Sequence, residues 1–301
     1  MGILPALGSA AVRRTAEFDA FGPWIDEVHT TSELPRLYRD AGVDPAASRL
    51  VLKVPRAIER RDANPDMHLY DFLIAVGASE LTVLRRRDDW YERARLPFAQ
   101  ITAIEDSVSL LDGRLTVHTA DGAATLISYN ALDPAPITML TRLLRKLYLP
   151  WRAGIPAAPV TPAPLDLGGG DMGLVTAYRQ VLAAEPGMRL ISAARRAAVG
   201  RGNRVSRLLR PVTLHASILL ADDREIQLLH RRDRLVQGRD KPHSIARTVV
   251  PRAGIAGFRV RPHDTHPQVT IVTICSADAA LDFPTHSGAD TDALLALLST
   301  A

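Results

Sequence analysis

The sequence predicts a mainly β chain with helices, built as two tandem copies of one small domain, each of about seven antiparallel strands closed by a C-terminal helix. Three observations carry this. The chain resembles itself over a long gapless stretch, apolar residues alternate with period two through short segments, and each copy ends in a leucine-rich segment of helical period.

From Leu96 to Leu144 the chain aligns without a gap onto Val250 to Leu298, at an offset of 154. Ten positions are identical, among them Pro97/Pro251, Ile101/Ile255, Thr119/Thr273 and Leu144/Leu298. The replacements preserve apolar character: Ile104/Phe258, Leu115/Val269, Val117/Ile271, Ile127/Leu281 and Tyr129/Phe283. Upstream the offset becomes 145, pairing Glu80–Leu84 with Glu225–Leu229, and then 140, pairing Tyr38-Arg39 with Tyr178-Arg179 and Arg49–Val51 with Arg189–Ile191. The offset changes fall between expected strands, where insertions are tolerated. The expected organisation is an N-terminal segment 1–31 docked on the first domain, a first domain 32–149, a linker 150–170 and a second domain 171–301. The linker is rich in Pro and Gly, which disfavour helix and inner strand.

Within the first copy, Ser32–Ala41 reads as a short helix capped by Ser32 and stopped at Gly42. Strands follow at Arg49–Val54, Leu69–Val76, Glu80–Arg85, Tyr91–Leu96 and Gln100–Leu110, then around Leu115–Val117 and Ile127–Tyr129. Asp112-Gly113 and Asp121-Gly122 sit where tight hairpin turns are expected. Pro134–Leu149 is an amphipathic helix with Ile137, Leu140, Leu143, Leu144 and Leu147 on one face. Its Arg142, Arg145 and Lys146 complement the dipole at the carboxyl end. The second copy closes with Asp290–Thr300.

Seven antiparallel strands followed by one amphipathic helix is the order of the pleckstrin-homology-like fold, and each copy resembles the bacterial PH-like domains over Leu69–Leu147 and Leu214–Leu298. The resemblance implies a bent, partly open barrel plugged at one end by the helix. It departs from the eukaryotic members, which usually carry a tryptophan in the last helix; here leucines fill that face.

Composition narrows the function. Lysine stands only at 53, 146 and 241, so the basic charge is nearly all arginine; with the high alanine content this is the bias of a GC-rich bacterial genome. The net charge of +4 permits contact with anionic surfaces without demanding it. A single cysteine, Cys275, excludes an intramolecular disulfide and reads as a half-buried thiol in a strand. No apolar run reaches the roughly 20 residues of a membrane span, and Arg13 and Arg14 follow the weakly apolar start instead of preceding it, the wrong order for a secretory signal. A cytoplasmic location, possible also at the inner membrane face, is the expectation.

The strongest candidate site is the acid-free stretch Arg189–Arg210, with Arg195, Arg196, Arg201, Arg204, Arg207 and Arg210 as candidate anion or lipid ligands. Guanidinium forks pair bidentately with phosphate, and in the lipid-binding PH-like members the first inter-strand loop carries the basic residues. A solvated loop is the plainer account, and the lack of aromatics for base stacking argues against nucleic acid. His263-Asp264-Thr265-His266, with His286, has ligand-type residues but falls in a hairpin connection, where a turn is expected and no metal. Gly168-Gly169-Gly170-Asp171 reads as a linker ending in an Asp cap, since no strand leads into it and no Lys-Ser/Thr follows. No nucleophile or metalloprotease motif is present and no cofactor is implied. The sequence therefore predicts a non-catalytic binding protein acting on a protein partner or an anionic membrane surface. An anionic-lipid binder using the basic loop, or an enzyme with a site between the copies, are the rivals.

Overall fold

A computed structural model of the chain describes residues 15–148, 163–199, 212–238 and 243–299. It divides into two compact units, residues 1–95 and 96–301.

In the first unit, β1 (Asp26–Glu27), β2 (Leu50–Pro55), β3 (Tyr70–Val76), β4 (Glu80–Arg87) and β5 (Trp90–Pro97) form one sheet in chain order. Every residue of β2 is buried, and so is nearly all of β3; irregular chain from Phe21 to Ala41 packs on the face that carries Val51, Leu73 and Leu84. Phe21, Leu34, Tyr38, Tyr70 and Leu73 form that core, with Phe21 edge-on to Tyr70. Tyr38 is fully buried, and its hydroxyl donates to the carbonyls of Tyr70 (3.2 Å) and Asp71 (3.0 Å). Phe21 and Val28 thus belong to the core, whereas Trp24 stays half exposed. A short helix, α1 (Ala16–Ala20), precedes them.

The helix expected over Ser32–Ala41 is instead two 3₁₀ turns, Thr31–Glu33 and Arg36–Ala41, separated around Pro35. Proline has no N–H to donate and its ring obstructs the preceding turn. The cap also differs: the Glu33 carboxylate reaches back to accept from the backbone N–H of His29 (2.7 Å) and Thr30.

The second unit holds the longer helices, α2 (Ala135–Tyr148), α3 (Met172–Ala184) and α4 (Ala289–Leu298). Its strands are β6 (Ile101–Ser109), β7 (Asp112–Thr119), β8 (Ala124–Asn130), β9 (Arg189–Ala194), β10 (Ala197–Ala198), β11 (Val212–Leu214), β12 (Ser217–Ala221), β13 (Glu225–His230), β14 (Leu235–Gln237), β15 (Ser244–Pro251), β16 (Gly257–Pro262), β17 (Val269–Ser276) and β18 (Ala279–His286). Seven of them form one antiparallel sheet in the order β8-β7-β6-β15-β13-β12-β9; β16-β17-β18 and β10-β11-β14 form two smaller ones. Among the described residues no sheet closes on itself, so the chain is a set of open antiparallel sheets and not closed barrels. At the centre of the large sheet, β6 pairs with β15 from Ser109↔Ser244 to Ile104↔Val249. Joining two strand edges satisfies a row of N–H and C=O groups on each.

The registers reproduce two of the sequence offsets. Leu52, Ile74 and Val83 are successive partners in the first unit, and Ser192, Leu219 and Leu228 in the second. The gapless 154 alignment, by contrast, fails at β17. Ile104 pairs with Val117, so Phe258 would meet Ile271; it meets Ile274. His263 N–H still donates to the Val269 carbonyl, so the reversal takes the five residues 264–268 where Leu110-Leu111 takes two, which shifts the strand by three. An odd shift exchanges the faces of a strand. Val272 and Ile274 consequently face Phe283 and Leu294, while Val269 and Ile271 join Val199 and Leu214 in a second cluster.

The hairpin turns also depart from expectation. Asp121-Gly122 is a turn, with Gly122 at φ +81. Asp112 and Gly113, however, lie in β7, and the reversal falls on Leu110-Leu111, with Leu110 at φ +55. Glycine is needed at 113 because a Cβ there would come within 2.3 Å of the Tyr129 ring. Cys275 is a free, half-buried thiol in β17.

Candidate functional site

The basic stretch is only partly within the described residues. Arg201, Arg204, Arg207 and Arg210 lie outside them. Arg195 is exposed and donates to the Asp166 carboxylate (2.5 Å) and backbone carbonyl (2.9 Å). Arg196 donates to Asp171 at 2.7 Å. Asp171 precedes α3, but its side chain does not cap the helix. It is wholly buried and accepts from Arg231 Nε (3.1 Å) and Nη2 (2.7 Å) as well as from Arg196. Burial pushes that carboxyl up, but the two guanidinium groups outweigh it and hold it below its ordinary range. Thus Arg195 and Arg196, the two candidate ligands within the described residues, already have carboxylate partners.

A groove of about 670 Å³ runs between α2 and α3 over β6 and β15, a size that suits a small-molecule ligand. Its floor is apolar, with Val108, Leu229, Ile245 and Val249, and four of the polar groups beside it, Arg145, Glu185, Gln227 and Arg247, bond to one another. Arg145 donates to both oxygens of Glu185 (2.8 Å each) and from Nε to both oxygens of Glu225 (3.1 Å each), with a further contact from Nη2 to Glu225. Arg247 donates to Glu185 (2.5 Å) and to Gln227 Oε1 (2.7 Å), and Gln227 Nε2 donates back to Glu185 (2.7 Å). Tyr148 donates to Glu225 at 3.0 Å. Burial raises the Glu185 carboxyl, but hydrogen bonds from Arg145 and the charges of Arg247 and Arg145 dominate and hold it down to about 2. A carboxylate so placed neither donates nor accepts a proton near neutrality. The network ties α2 to β13, β15 and the end of α3; it is a structural clamp built of ionised groups.

A different surface is open. Among the described residues β16 pairs only with β17, so its outer edge has no strand against it. Five of its six residues are exposed, and Phe258 and Val260 (46% exposed) alternate with Arg259 and Arg261 along it. Arg261 pairs with Asp282 at 3.1 Å. Next to this edge, the His263 ring accepts from the backbone N–H of Thr265 (3.1 Å) and His266 (3.3 Å), an arrangement of a side-chain-stabilised turn. Among the described residues no cluster of His, Cys, Asp and Glu is arranged to hold a metal. No helix of the described residues is long and apolar enough to cross a membrane.

Sequence reasoning singled out neither the Arg145 clamp nor the β16 edge. Arg145 was read as a dipole partner, and nothing local in the sequence ties it to Glu185, 40 residues away. The edge did carry a signal: alternating apolar and arginine residues in a strand of a repeat whose first-copy counterpart is apolar and acidic. The chain matches no family model, and comparison with curated proteins and with solved structures finds none similar to it.

Proposed function

We propose that the chain is a non-catalytic binding protein of two tandem PH-like domains that captures an extended segment of a protein partner on the outer edge of β16. One observation carries this reading. The sequence repeat makes β6 and β16 counterparts; the outer edge of β6 is covered by β15, whereas that of β16 has, among the described residues, no strand against it. An edge that takes a strand in one copy and stands open in the other is a natural site for strand addition. Phe258 and Val260 would pack on alternate apolar residues of the incoming strand, and Arg259 would pair with acids between them. The partner is therefore an extended, alternating apolar and acidic segment.

An edge guarded only against aggregation would also carry charge, and selection separates the two. A library of displayed peptides is panned against the full chain. The expected result is enrichment of alternating apolar and acidic sequences whose binding is lost with Val260→Pro and Arg259→Glu. Enriched peptides that bind both variants as tightly as the parent chain would refute the assignment. The anionic-lipid alternative is left with Arg201, Arg204, Arg207 and Arg210, because Arg195 and Arg196 are engaged by Asp166 and Asp171 and lend it no support.

A further inference from the structure

The large sheet of the second unit ends at β8, and among the described residues no strand lies against its outer edge. Hydrogen bonds at the two ends of the β7–β8 pair fix its phase: Ala131 N–H donates to the Leu111 carbonyl (2.9 Å) and Thr119 N–H to the Ala123 carbonyl (3.0 Å). With the unbroken register between them, the backbone groups of the odd-numbered residues turn toward β7, and those of Ala124, Leu126, Ser128 and Asn130 turn outward. The side chains leave this edge reachable, since Ala124, Leu126 and Ser128 are exposed. Native edges are ordinarily paired, covered, kept short, or guarded by charge, proline or a bulge. The other described edge strands longer than three residues all carry charge: β5 holds Glu92 and Arg95, β9 Arg189, β16 Arg259 and Arg261, and β18 Asp282. β8, with the sequence Ala-Thr-Leu-Ile-Ser-Tyr-Asn, has no charge, no proline and no register shift.

We propose that β8 is a self-association edge, on which a second copy of this chain adds its own β8 antiparallel across a twofold axis. Such a contact sets a surface against itself, so it requires a strand that tolerates its own residues. With Ile127 on the axis, Leu126 pairs with the second copy's Ser128 and Ala124 with the second copy's Asn130, and each outward N–H meets an outward carbonyl. The two Leu126 side chains, each 43% exposed in the single chain, become diagonal neighbours within reach of one another. No charge opposes its like within the paired strands. The nearest acids turn back onto their own chain: Asp121 accepts from Thr119 and Ala123, and Asp133 from the backbone N–H of Ala135. The same operation on β16, centred on Arg259, would set two arginines face to face, which is unfavourable. Charge thus sorts the two open edges, β16 to an acidic partner and β8 to a second copy.

Sedimentation equilibrium of the full chain, from micromolar to submillimolar concentration, should show a monomer–dimer equilibrium. Over the same range, amide hydrogen exchange of Leu126 and Ser128 should slow as concentration rises. Ser128→Pro removes one outward N–H from each copy and leaves the β7 ladder intact; with two hydrogen bonds lost per dimer, association should weaken about 30-fold or more. Leu126→Lys should weaken it about 10-fold, and less at high salt. Val260→Pro, on β16, should leave it unchanged. A chain that stays monomeric throughout, β8 amides equally protected at every concentration, a dimer that survives both β8 substitutions, or a dimer lost with Val260→Pro would each overturn the assignment. Because the exchange measurement uses the unaltered chain, it decides the matter even if Ser128→Pro does not fold.

Discussion

Arg145→Leu is the substitution that probes the clamp most sharply. In the folded chain this guanidinium satisfies Glu225, 2% exposed, and both oxygens of Glu185. Without it Glu225 keeps only Tyr148 and a long contact to Gln227 (3.4 Å). Removing one partner of a buried ion pair costs about 3–5 kcal/mol, because the other charge is left desolvated and unpaired. Urea denaturation followed by the helical circular-dichroism signal measures this in the right unit, since α2, α3 and α4 have 14, 13 and 10 residues and α1 only 5. The double variant Arg145→Leu/Glu225→Leu removes both charges and should recover more than half of the loss. A loss below about 1 kcal/mol for the single variant would place the pair among screened surface contacts. A double variant as unstable as the two single losses added together would show that the clamp is not an interacting pair at all.

Four further outcomes follow from the same structure. The Glu185 carboxyl is depressed when folded, so its stabilisation is present above its ordinary pKa of 4.5 and is lost as pH falls from there toward 2. The loss is about 3 kcal/mol across that window, read as a falling urea midpoint, and Arg145→Leu should flatten it. Asp171→Asn leaves Arg231 buried without its counter-charge and should cost about 3–5 kcal/mol in the same denaturation assay. Leu110→Gly should stabilise by about 1 kcal/mol, because Leu110 is 73% exposed and sits at φ +55, where an L side chain is strained; thermal denaturation shows the sign. Gly113→Ala should destabilise by about 1–3 kcal/mol, since the new Cβ overlaps Tyr129 and disturbs its 2.6 Å hydrogen bond to Asp106.

Much of the secondary structure was legible because the apolar runs of β2 and β3 and the alternation of β7 and β8 are bounded by turn residues, and each strand from β2 to β8 falls within about three residues of its expected limits. What failed did so for physical reasons. Pro35 split a segment whose other residues favour a helix. Asp-Gly is the stronger hairpin signal, yet Gly113 serves the close approach of Tyr129 and the turn falls on two leucines. The slip at β17 was invisible because Val269, Ile271, Val272 and Ile274 are apolar in both phases, so either register buries a face. The pairing of β6 with β15 lay further out of reach, since alternation says which face of a strand is buried and nothing about which strand lies beside it.

Amide hydrogen exchange on the full chain tests the central claim, that the β6 edge is closed by β15 while the β16 edge, unpaired among the described residues, stands open. The account predicts slow exchange throughout Ile104–Ser109 and Ser244–Val249, which lie inside the seven-stranded sheet, and fast exchange for the outward-pointing amides of Gly257–Arg261. If the amides of β6 and β15 exchange as fast as those of β16, the two edges are not joined, and the case for β16 as the partner-binding edge falls with them.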